Sequence, residues 1–208
     1  GDLERFSSKK EKMNNNQKFF TMICKNQMKK DRIFSFLHSF VVVFILLMAK
    51  FKVTTQELAM NISTIYFFFD TLNYIWNFDF TFMTMGMLIH HAISLFMLFN
   101  YPSSSDILFD GVTSMYLAAE ISNVALTMTG LSKNYLSQEH FRKMLEFEFI
   151  VYFLCRCIWM GIIIYNNWNE LNNLVYATVY FYIMGLYWSF HLYKKLVFPR
   201  SNREAKEK

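Results

Sequence analysis

A chain of 208 residues that is 54% hydrophobic and 19% aromatic, but only 18% charged, falls short of the roughly one-quarter charged residues of a soluble domain. The balance points to a membrane protein, and the length excludes a separate soluble catalytic module. The net charge of +5 gathers in the tails, which suits contact with anionic lipid and gives no reason to expect a nucleic-acid partner.

Residues 1–32 form a basic N-terminal tail without the apolar core of a signal peptide. Within it, 18–30 mixes apolar and basic residues, so it reads either as an interfacial helix or as a solvated tail. Six apolar runs follow, at 33–49, 58–76, 82–99, 107–131, 145–165 and 171–193. Each is near the ~20 residues that a helix needs to cross about 30 Å of hydrocarbon. The second and fourth are the weakest, because each carries polar residues in its middle. The longest connection is 132–144, and 194–208 is a basic C-terminal tail. Pro102 and Pro199 fall outside the runs and interrupt none of them.

Positive charge tests this count. Of the 21 Lys and Arg residues, 18 fall in the two tails and the even-numbered connections. Only Lys50 and Lys52 lie on the opposite side, and Arg156 lies within a run. That asymmetry predicts an even number of spans with both termini on the cytosolic or matrix side. Trp76 and Trp168 at run ends suit the interface. Cys24, Cys155 and Cys157 show neither a disulfide framework nor metal spacing, and no metal is expected.

Ionisable residues inside apolar runs are costly unless paired or hydrated, so each requires a reason. Asp70 lies in the second run, His90 and His91 in the centre of the third, Glu120 in the fourth and Arg156 in the fifth. Asn123 is three residues beyond Glu120 and shares its helical face. The histidines, Glu120 and Arg156 sit at similar depth, with Asp70 nearer the inner face. A bundle that turns them inward gathers them into one polar pocket. Adjacent histidines are about 100° apart on a helix, so the two are expected to do different work. Structural readings stand beside this one. Arg156 can tie the fifth span to a carboxylate, and Asp70 can simply pair helices. His38 and His191, near run ends, read as interfacial and His140 as solvated. Asp79, Asp110, Glu146 and Glu148 read as wet boundary residues.

Six runs, YFFFD at 66–70, the His-His pair, AAEISN at 118–123 and CRC at 155–157 together resemble the TLC-domain family. The resemblance covers roughly 33–195. That family contains the ceramide synthases and other lipid-associated membrane proteins. It implies an all-α integral membrane fold, a six-transmembrane-helix bundle of TLC type. Where the synthases carry a later His-Asp, this chain has Leu117 and Ala118, so it resembles the non-synthase branch more.

The expected function is to bind or handle a lipid or acyl chain in the intramembrane pocket, with Asp70, Glu120, Asn123 and Arg156 supporting it. The alternative implied by the synthases is a fatty-acyl transferase with acyl-CoA as co-substrate, His90 or His91 acting as nucleophile or base. A third reading is an accessory subunit of a larger membrane complex, with other membrane proteins as partners. The endoplasmic reticulum or another endomembrane is the expected location. The mitochondrial inner membrane is the alternative, since a chain opening on Gly1 permits import followed by cleavage.

Overall fold

The structure, a computed structural model, describes residues 15–76, 82–100, 107–133, 135–169 and 174–198, and all regular structure among them is helical. There are six helices: α1 Asn15–Lys50, α2 Gln56–Trp76, α3 Phe82–Phe99, α4 Ile107–Ser132, α5 Gln138–Asn166 and α6 Val175–Val197. The expected positions of α2, α3 and α4 hold to within two residues. Asp79, the side chain of Asp110 and the tails 1–14 and 199–208 lie outside the described residues.

Two boundaries differ from expectation. The backbone of α1 is helical through 18–30 and runs unbroken into the first apolar run. It stops after Lys50 in a Schellman-type turn, in which Val53 N–H bonds to Met48 O and Lys52 takes φ 59°. The other difference is α5, which starts seven residues before the apolar run, so most of the expected 132–144 connection is helical. Ser137 caps it, its side chain accepting the His140 N–H at 3.4 Å. Exposed pairs Glu139–Lys143 at 3.0 Å and Arg142–Glu146 at 3.3 Å support its polar first turns.

α4 is the hub. α1 packs along one side of it and α5 along another, while α2 lies on α1, α3 on α2 and α6 on α5. Many side chains that face these neighbours are small or hydroxylic: Thr113, Ala118, Ser122, Ala125 and Thr129 are all buried. Small side chains let helices approach closely, and most of the hydroxyls bond their own helix, while Thr113 donates to Gln56 Oε1 on α2 at 2.7 Å. Thr129 donates to Ala125 O at 3.0 Å and Ser122 to Ala119 O at 2.6 Å. Two apolar clusters flank the hub. One joins α1, α2 and α4 through Val42, Leu46, Ala59, Met60 and Leu117. The other joins α4, α5 and α6 through Val112, Met115, Met160 and Ile163, with Phe181 and Tyr182 of α6 packed against them.

The outward faces are apolar as well. Phe34, Phe44, Ile65 and Phe69 are each more than half exposed, a surface that water does not favour. Arg32–Lys50 and Gln138–Asn166 are long and apolar enough to cross a membrane, and Met85–Phe99 is a shorter apolar helix. Arg32 donates to Gly130 O at 3.1 Å, placing a cation on the last turn of α4, where carbonyl ends carry partial negative charge.

Candidate functional site

The helices surround a partly open cavity of about 70 Å³. Met60, Met97, Met115, Met160, Phe67 and Phe181 supply most of an apolar wall, and His90, Glu120, Asn123 and Arg156 supply polar groups. Four residues expected to converge therefore do line one space. His91 and Asp70 do not line it. They form a pair of their own beside it, with His91 Nε2 3.4 Å from Asp70 Oδ2. The two adjacent histidines divide the work as their helical offset suggests.

His90 presents its ring to the cavity edge-on to Phe181, with centroids 5.3 Å apart at 89°. It also meets Phe67 at 6.5 Å. His91 is 2% exposed and packs edge-on against Tyr74, while its Nδ1 has no hydrogen-bond partner. Tyr66 donates to Asp70 at 3.4 Å, so the carboxylate is held from its own helix as well as from α3.

Among the described residues Arg156 ties α5 to no carboxylate; it binds α4 through neutral acceptors. Its Nε donates to Ser122 Oγ at 2.7 Å, and Nη2 donates to Ala119 O at 3.2 Å and Asn123 Oδ1 at 3.1 Å. Nη1 takes part in none of these bonds. Local backbone geometry aims this side chain. Leu154–Trp159 forms a π-helical segment inside α5, a widening that re-registers the Cys-Arg-Cys residues and is common at functional sites. Gly185 on α6 allows that segment to be approached. A Cβ there would stand 2.9 Å from Arg156 Cβ and 3.3 Å from its carbonyl oxygen. Cys157 contacts Ser189 Oγ at 3.2 Å on the same interface.

Glu120 is 1% exposed, and its Oε2 has no hydrogen-bond partner. The nearest cationic candidate is His38 Nδ1 at 3.9 Å, too long for a hydrogen bond. Tyr116, one turn before Glu120, also lines the cavity, with its buried hydroxyl beside Glu120 and Ser63.

His38 was expected at the interface. It is instead 8% exposed, with Nε2 3.1 Å from Ser63 Oγ and its ring stacked on Tyr66 at 3.9 Å. Distance from a run's end gives depth but not direction, which is why the sequence reading misplaced it. The signal was the stripe His38, Ser39, Val42 and Leu46, all buried at helical spacing among exposed phenylalanines. Glu148 was likewise expected to be wet and is 3% exposed, whereas Glu146 is exposed and paired with Arg142. His140 is exposed, as expected. Among the described residues no cluster of His, Cys, Asp and Glu is arranged to hold a metal ion.

Comparison with family models, curated proteins and solved structures of other proteins gives no match to this chain.

Proposed function

We propose that this chain is an integral membrane protein with six transmembrane helices, of TLC type, that holds a lipid or acyl chain in the cavity at the centre of its bundle. Both termini lie on the cytosolic or matrix side, where the basic residues of the sequence fall. The exposed apolar faces of α1, α2 and α5 support immersion in lipid, because water would not tolerate so much unpaired apolar surface. The observation that carries the reading is one cavity with methionine and phenylalanine walls and a buried polar set, His90, Glu120, Asn123 and Arg156. Small-molecule pockets share that make-up, mostly apolar with a few convergent polar groups.

Acyl transfer is a second reading, favoured by the His91–Asp70 pair at 3.4 Å. A carboxylate can orient an imidazole for base or nucleophilic chemistry. The histidine so backed is not the one on the cavity wall, however, so binding is the stronger reading. Purified protein is to be extracted and its lipids identified by mass spectrometry, alongside Met115→Trp, which fills the cavity. Binding predicts a defined lipid near one per chain in the wild type and its loss in the folded variant. Absence of lipid from both, or equal lipid in both, rejects it. Incubation with labelled acyl-CoA tests the second reading, which requires an adduct lost in His90→Ala or His91→Ala.

A further inference from the structure

Inside the cavity one charge is well supplied with partners and the other is not. Arg156 holds its place through Nε and Nη2, while Nη1 takes part in none of its bonds to α4. Among the described residues it forms no ion pair with a carboxylate. A guanidinium that is 6% exposed and lines an open space is therefore set to receive an anion. Glu120 lines the same space at 1% exposure, its Oε2 making no hydrogen bond, and the Tyr116 hydroxyl stands beside it and Ser63. Leaving the Glu120 oxygen unsatisfied is costly, and a donor entering the cavity would satisfy it.

The geometry points to a dipolar head-group subsite, and we infer that the ligand is a single-chain lipid carrying an anionic group and, a few atoms away, a hydroxyl or ammonium donor. The anion meets Arg156; the donor meets Glu120 and Tyr116. The chain lies along Met97, Met115 and Phe181. This rests on the lipid-holding reading above and adds to it which head group is selected. A fatty acid satisfies only the arginine. A monoacylglycerol satisfies only the carboxylate and phenol. Lysophosphatidic acid, with a phosphate and a free hydroxyl, satisfies both.

The full chain in detergent is loaded with labelled lysophosphatidic acid, which is then displaced by unlabelled lysophosphatidic acid, monoacylglycerol or fatty acid of one chain length. Lysophosphatidic acid is expected to compete about tenfold or more better than either of the others, the effect of one added charge-assisted hydrogen bond. Arg156→Gln is expected to erase its advantage over monoacylglycerol. Glu120→Gln and Tyr116→Phe are expected to reduce its advantage over fatty acid. If all three lipids compete within about threefold in the wild type, the head-group subsite is wrong while lipid binding stands. If none binds, the lipid-holding reading falls with it. The wild-type ranking decides by itself if a variant fails to fold.

Discussion

Arg156 and Glu120 face the same cavity from α5 and α4, yet the protein treats them in opposite ways. The cation is anchored by three neutral acceptors, one of them at 2.7 Å, so its position is fixed before anything enters. The anion has an oxygen that makes no hydrogen bond, with the Tyr116 hydroxyl beside the carboxyl group. The arginine is thus both a structural tie and half of a site. The glutamate reaches a neighbouring helix through a 3.9 Å approach to His38 on α1. A buried polar group without a local structural task is the more informative of the two about function.

Four substitutions sharpen or break that contrast, and thermal unfolding in detergent reads each one. Arg156→Leu strands Ser122, Asn123 and Ala119 O inside the bundle; a loss of about 3 kcal/mol is expected. A loss below about 1 kcal/mol would mean that the arginine is not the tie proposed. Gly185→Val drives a side chain into the Arg156 backbone and is expected to cost about 2 kcal/mol by overpacking the α5–α6 contact. Ser63→Ala removes the partner of His38 at 3.1 Å and is expected to cost about 1 kcal/mol. Arg142→Ala breaks only an exposed pair and is expected to change stability by no more than about 0.5 kcal/mol. A larger effect there would place the start of α5 in a contact that the isolated chain does not show.

What the sequence revealed follows the same division between depth and direction. The limits of α3 were legible because its apolar run is bounded by polar and aromatic residues, and the residues on the cavity were legible because ionisable groups are rare in such runs. His38 and Glu148 were misread because closeness to a run's end says nothing about which neighbour a side chain faces. The start of α5 was missed because its first turns are polar. Ser137 and the Glu139–Lys143 spacing marked it all the same. The π-helical segment left no trace in residue pattern, since Leu154–Trp159 reads as ordinary apolar helix, and with it went the actual partners of Arg156. The division of His90 from His91 was anticipated from the helical offset, although which of them met Asp70 was not.

The most direct test measures the unfolding temperature of wild type and Glu120→Gln side by side, with and without lysophosphatidic acid. Without lipid the two are expected to agree to within about 1 kcal/mol, because Glu120 Oε2 makes no hydrogen bond that the substitution would remove. With lipid the wild type should rise and the variant should rise much less, since ligand stabilises the folded state in proportion to its affinity. A variant that collapses without lipid, or one that keeps the full lipid-dependent rise, would contradict the account.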